Sequence, residues 1–192
     1  MSFKGVLQRK WPYFVFLGAL VGASFATFVQ MKTNPSEEEK INVFLCSYGA
    51  NKDELMSLWN KNKGNNIKQI NLYFYFATSS DLASLYTSQK GSMDTFLLPS
   101  SFLKTLDQTM LSRDFVSMGE LSEGYRIDDL VYGELAYSCE SKEGVYSDLI
   151  SYSKENAPED DYYIFYRNGS IHSKSLQEGI DDQALRLWRE EQ

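Results

Sequence analysis

The sequence predicts an α/β domain, built in three layers on a mainly parallel sheet and preceded by one transmembrane helix. Three observations predict it. Trp11 to Val29 is an apolar run in which Tyr13 is the sole ionisable side chain. Beyond residue 40, short apolar runs rich in aromatic and β-branched residues alternate with segments of helical periodicity, the pattern of strands covered by helices. About 150 residues then remain, enough for one compact core and too few for two ordinary domains.

The apolar run comes first. As a helix, nineteen residues at roughly 1.5 Å each span about 28 Å, close to the hydrocarbon thickness of a bilayer. Pro12 falls in the first turn of a helix that starts at Trp11, where its missing N–H would have had no partner. Trp11 and Tyr13 stand where an interfacial aromatic belt would lie. Gly18, Gly22 and Ala26 recur at a spacing of four, either as a close-packing face or as the small residues common in such helices. Lys4, Arg9 and Lys10 precede the run, whereas Glu37, Glu38 and Glu39 follow Lys32. The positive-inside rule then puts the N-terminus in the cytoplasm and the domain outside, on the cell membrane as a single-pass protein. A cleaved signal peptide is the competing reading, with Ser24-Phe25-Ala26 as its cleavage site. The continuation of the run through Phe28 and Val29 favours an uncleaved anchor. The resulting division is a basic cytoplasmic tail at 1–10, a transmembrane helix at 11–31, a stalk at 32–40 and an extracytoplasmic domain at 41–192.

Charge narrows the partners. From residue 37 onward there are fifteen basic and twenty-six acidic side chains, a net charge of −11. An acidic surface disfavours nucleic acid and anionic lipid headgroups. Cys46 and Cys139 both fall in strand-like runs and read as free thiols, with a disulfide as the open alternative outside the cytoplasm.

Within the domain, Ile41 to Cys46 reads as a buried strand. Residues 51–63 put Leu55, Leu58 and Trp59 on one helical face. Ile67 to Ala77 is an aromatic-rich strand. Ser79 or Ser80 can cap the next helix, which carries Leu82, Leu85 and Tyr86. Asp94 to Leu98 is a short strand stopped by Pro99, and Ser100 or Ser101 caps a helix with Phe102, Leu106 and Met110 on one face. Residues 113–130 read as loop with one short strand, and Val131 to Cys139 as a strand. The spacing of Val145, Leu149 and Tyr152 predicts a helix over 145–156. Tyr162 to Tyr166 is a strand, Asn168-Gly169 a turn, and Ser170 to Lys174 a return strand. Residues 180–190 close the chain as a helix with Ile180, Ala184, Leu187 and Trp188 inward.

The stretches INVFLCSYGANKDELMSLWNK and INLYFYFATSSDLASLYTSQKGSMDTFLLPSSFLKTL, within residues 41–106, resemble one lobe of a bacterial extracellular solute-binding protein, the receptor of ABC importers. In that family a strand leads into a loop and helix, a second strand and helix follow, and a residue such as Asp94 opens a short strand ending in a proline-serine turn. The C-terminal half, with VYGELAYSC and DDYYIFYRNGSIH, is similar to small membrane-anchored proteins of low-GC Gram-positive bacteria that keep a single such lobe. The resemblance implies ligand contacts on the strand-end loops: Ser47, Tyr48 and Gly49, then Thr78, Ser79 and Ser80, then Ser100 and Ser101. Short hydroxyls can hold sugar hydroxyls or a carboxylate, and Tyr48 can stack on a ring. The plainer reading of the serines is helix capping. One lobe cannot close around a ligand, so a partner must supply the other wall, or the lobe is a docking module without one.

Catalytic signatures are lacking. His172 is the single histidine and no G-x-S-x-G elbow is present, so it reads as a structural or surface residue. No C-x-x-C, H-E-x-x-H or EF-hand pattern calls for a metal, and no cofactor motif stands out. The acidic pairs Asp128-Asp129 and Asp181-Asp182, and the run Glu159-Asp160-Asp161, read as solvated. A pair of glycosidase-type carboxylates is a matter of three-dimensional separation, and nothing local favours one. The sequence therefore leads to a non-catalytic binding module that presents a small solute (sugar, amino acid or peptide) or a docking surface to a membrane partner such as a transporter. A purely structural envelope-assembly protein is the alternative class, and a cell-surface hydrolase the third.

Overall fold

The computed structural model describes residues 3–119, 123–155, 159–173 and 183–189. The chain divides into two units, Met1–Ser36 and Glu37–Gln192. The first unit is one helix, α1 (Phe3–Thr33), longer at both ends than expected. Pro12 therefore lies inside the helix, not in its first turn, and deprives the carbonyl four residues earlier of its bond. The helix stops two residues short of Pro35, as the restriction on residues preceding proline requires. Lys10–Val29 is long and apolar enough to cross a membrane, with a mean hydropathy of 1.8. Ser24 and Thr27 donate their hydroxyls to the carbonyls of Leu20 and Ala23, each at 2.8 Å, so neither exposes an unpaired hydroxyl.

The second unit is a mixed α/β domain. Its strands are β1 (Lys40–Ser47), β2 (Gly49–Ala50), β3 (Gln69–Phe76), β4 (Thr95–Pro99), β5 (Gly124–Ile127), β6 (Leu130–Tyr137), β7 (Ile150–Ser151) and β8 (Tyr162–Tyr166). Among the described residues the main sheet runs β3-β1-β4-β8-β6-β5, and β2 pairs with β7 apart from it. Only the β3-β1-β4 half is parallel. The other half is antiparallel throughout. The parallel character expected from the alternating pattern thus stops at β4. For the β5–β6 pair the reason is local. A two-residue turn at Asp128-Asp129, with Asp128 at φ 54°, joins β5 to β6, and so short a link can only reverse the chain.

The helices are α2 (Lys52–Asn62), α3 (Leu82–Gln89), α4 (Ser100–Leu103), α5 (Gln108–Asp114) and α6 (Gln183–Arg186). Asn51 caps α2, and Leu55 and Trp59 are fully buried, as their spacing predicts. Alternate residues of β1 feed two cores. Ile41, Val43 and Leu45 pack with Leu55, Trp59 and the C-terminal Leu185, Leu187 and Trp188. Phe44 and Cys46 pack with Leu82, Tyr86, Phe96, Phe102 and Leu111. The C-terminal segment is pinned by two buried bonds. Trp188 Nε1 donates to Thr95 Oγ1 at 2.9 Å and the Tyr146 hydroxyl to the Leu187 carbonyl at 2.7 Å. Gly133 lets the Phe165 ring approach β6; a Cβ there would lie 2.7 Å from ring carbons.

Several expectations fail for identifiable reasons. The single helix expected after Ser100 is two, because Asp107 breaks it and caps α5 through the Thr109 N–H at 2.7 Å. Residues 145–155 are turns and β7, not a helix; Val145 N–H is taken by Ala136 and Tyr48 N–H by Ser151. Tyr152 is buried because its ring stacks on Tyr137, with centroids 4.6 Å apart. After the Asn168-Gly169 turn, where Gly169 has φ 77°, the described residues 170–173 form a turn, not a return strand. Ser170 instead donates its hydroxyl to Asp94, whose other carboxylate oxygen accepts the Asn42 N–H at 2.7 Å. Ile180, Asp181, Asp182 and Lys174 lie outside the described residues.

Candidate functional site

The loops that follow β1, β3 and β4 converge at the C-terminal edge of the parallel half-sheet, and the three are not equivalent. After β1, Ser47 is fully buried and donates its hydroxyl to the Gly49 carbonyl at 2.9 Å. Tyr48 N–H donates to Ser151 at 2.9 Å, and Gly49 pairs with Ser151 in the small sheet. This loop is sealed by β7, leaving Tyr48 half-buried. After β3, Ser79 N–H donates to the Phe76 carbonyl at 2.9 Å, closing a tight turn. Thr78 and Ser80 are exposed and Ser79 is half-buried. Asp81, not a serine, occupies the cap position of α3, and its side chain makes no capping bond.

After β4 the capping expectation is inverted. Neither Ser100 nor Ser101 caps α4; both are served by a residue some sixty positions downstream. Asp160, only 8 % exposed, accepts the Ser100 hydroxyl and, at 3.0–3.1 Å, the Ser101 N–H. Its neighbour Asp161 accepts the Cys139 N–H at 2.9 Å. The acidic run read as solvated is therefore structural over these two residues, while Glu159 is exposed. No sequence signal links Asp160 to Ser100, because the link is made by the antiparallel return of β8 along β4.

Three of the eight candidate residues come together. Ser79, Ser80 and Ser101 line an open groove of about 270 Å³ with Ala77, Leu82 and Phe102. Thr78 stands beside it in sequence, the Ser100 hydroxyl is held by Asp160, and Ser47, Tyr48 and Gly49 lie outside its lining. Two further depressions lie elsewhere. A cavity of about 150 Å³ includes Lys90, Arg113, Asp114 and Arg167, and a wider groove of about 570 Å³ includes Tyr137, Ser138, Glu143 and Val145.

Behind the edge, the thiols and phenols are held neutral. Burial, then the nearby Asp160 carboxylate, pushes the Cys46 thiol up to about 12. Burial first and Asp160 second raise Tyr48 as well. Tyr162 is raised by burial and then by Cys46, Tyr48 and Asp160. At Cys139 the hydrogen bond to Asp161 is the largest cause of an upward shift, ahead of burial. Both cysteines are free thiols, and a thiol raised in this way carries negligible thiolate at neutral pH, so neither is an activated nucleophile. His172 is 4 % exposed, with its Nε2 3.2 Å from the Glu37 carbonyl and its backbone N–H donating to the Ser170 hydroxyl at 3.0 Å. It links the turn at Ser170 to the 3-10 turn Glu37–Glu39 that leads into β1. Among the described residues, no group of three or more His, Cys, Asp or Glu side chains is placed to hold a metal ion.

Comparisons of the chain with protein-family models, with curated proteins and with solved structures find no match.

Proposed function

We propose that this chain is a membrane-anchored, extracytoplasmic and non-catalytic binding module, a three-layer single lobe of the solute-binding type that offers a ligand or a docking surface to a membrane partner such as a transporter. One observation carries the reading: Ser79, Ser80 and Ser101, from two strand-end loops, line one open groove at the C-terminal edge of the parallel strands. Ligands of open α/β sheets bind at that edge. Hydroxyls without a nearby activated base suit hydrogen bonding to a sugar, amino acid or peptide better than bond cleavage. The helix long and apolar enough to cross a membrane supports the anchor, and the charge asymmetry across it supports an outward domain. An envelope-assembly role is the second reading, favoured by the sealing of Tyr48 and Gly49 under β7, which narrows the edge available to a small ligand.

The full chain in detergent micelles, screened by thermal shift against sugars, amino acids and short peptides, should show a saturable rise in Tm with one class. The double variant Ser79→Ala, Ser101→Ala should lose that rise while keeping the ligand-free Tm. A flat response across the panel overturns the small-ligand reading. Protease added outside intact cells should digest the domain; protection would overturn the orientation.

A further inference from the structure

The two edges of the main sheet are built differently. At one end β5 is four residues long, its register with β6 shifts between Tyr125 and Arg126, and charged Arg126, Asp128 and Asp129 cluster at its tip. Shortness, irregularity and charge are the devices that keep an edge from pairing with another strand. At the other end β3 has none of them. It is eight residues long, pairs with β1 in unbroken register from Gln69 to Phe76, and carries no charged residue or proline. Phe76 is 57 % exposed and Tyr73 38 %, while Leu72, Phe74 and Tyr75 are only half-buried. A strand of this composition left uncovered is a template for another strand.

Its backbone shows where a partner bonds. Ala77 N–H donates to the Ser47 carbonyl at 2.9 Å, so the odd-numbered residues turn their backbone groups toward β1. Backbone direction alternates along a strand, which leaves the N–H and C=O groups of Ile70, Leu72, Phe74 and Phe76 pointing outward. An antiparallel copy of β3 centred on Tyr73 satisfies all four. In that register Leu72 faces Phe74, Ile70 faces Phe76 and Tyr73 faces Tyr73, so every pair joins residues on the same face of the sheet. These pairs are aliphatic–aromatic and aromatic–aromatic, the combinations that stabilise neighbouring strands, and the one remaining pair sets Asn71 opposite Tyr75. No charge meets a like charge, and both exposed aromatics gain apolar or aromatic partners.

We infer that β3 is a homodimerisation edge: two copies of this chain pair antiparallel about a twofold axis through Tyr73 and join their sheets into one. The occupant is a second copy because the strand is complementary to itself in the register that its outward backbone groups select. The net charge of −11 on each domain opposes the approach and is screened by salt, so dimerisation strengthens as ionic strength rises. Two copies confined to one bilayer would meet at a raised effective concentration.

The register makes the test specific. Facing residues of a non-hydrogen-bonded antiparallel pair have Cα atoms about 4.5 Å apart, within disulfide range. In the full chain in detergent, carrying Cys139→Ser and with Cys46 left buried, Tyr73→Cys should give a disulfide-linked dimer on mild oxidation. Leu72→Cys and Phe74→Cys should crosslink poorly alone and well when mixed. Tyr73→Lys, which sets two ammonium groups face to face, should convert the dimer to monomer by sedimentation with an unchanged circular dichroism spectrum. Three results would overturn the inference: a wild-type monomer at all protein and salt concentrations, Leu72→Cys crosslinking to itself as well as Tyr73→Cys does, or a dimer that survives Tyr73→Lys. The last would assign association to α1. Retention of the thermal-shift response to groove ligands by Tyr73→Lys keeps this outcome separate from the fate of the binding reading.

Discussion

Replacing Asp160 tests whether the third loop is organised from a distance. The carboxylate accepts the Ser100 hydroxyl and the Ser101 N–H, and it is almost fully buried. Asp160→Ala removes both bonds. Hydrogen bonds to a charged group contribute about 1.5–3 kcal/mol, and loss of a helix cap costs about 0.5–2 kcal/mol. Two features pull the value down. Ser100 is half-buried and Ser101 exposed, so water can reach the orphaned donors, and the variant no longer holds a carboxylate out of water. A loss of about 1.5 kcal/mol is expected. For a domain of this size that lowers Tm by roughly 3–6 °C. Asp160→Asn keeps a neutral acceptor and should lose about half as much. Urea unfolding followed by the fluorescence of the buried Trp59 and Trp188 reads the change as a lower midpoint at constant slope. An Asp160→Ala midpoint within about 0.5 kcal/mol of wild type, or an asparagine variant weaker than the alanine one, would refute the long-range cap.

Gly133→Ala places a Cβ 2.7 Å from the fully buried Phe165 ring, and overpacking should cost about 1–3 kcal/mol in the same urea titration. Cys46 links stability to alkaline pH. Its thiol rises from 9.0 in the unfolded chain to about 12 in the folded one, so the unfolded state ionises first and stability falls as pH climbs from about 9 toward 12. Cys46→Ala should flatten the first part of that fall, and Asp160→Asn should leave its onset in place but make it end at lower pH and with a smaller total loss, by removing the second cause of the shift. In the native protein at pH 8 a thiol reagent should modify the half-buried Cys139 well before Cys46, whose labelling should await unfolding.

The parallel half of the domain was legible because it is built from local pattern. β1, α2, β3 and β4 each carry an apolar run or a helical face that closes within a few residues, and their observed bounds differ from the expected ones by one or two positions. The segment 145–155 shows where that logic misleads. Val145, Leu149 and Tyr152 have helical spacing, yet Val145 bonds β6, Tyr152 stacks on Tyr137, and Ile150 and Ser151 pair with β2. Apolar spacing records which residues are buried and not what buries them. The candidate loops behave alike. Thr78, Ser79 and Ser80 end a strand as expected, but whether the loop after β1 is open or sealed was decided by β7, about a hundred residues away.

Two properties follow from the sequence alone. A helix long and apolar enough to cross a bilayer needs only consecutive apolar residues, since its hydrogen bonds are internal to the segment. The α/β class needs only alternating local patterns. Tertiary structure decided the rest. It made half of the sheet antiparallel, carried Asp160 to the start of α4, grouped Ser79, Ser80 and Ser101 in one groove, and set β3, unpaired on its outer side among the described residues, at the edge opposite a guarded β5. Each of these is a pairing between distant segments, and the free energy of such a contact belongs to both partners at once, so neither stretch of sequence encodes it alone.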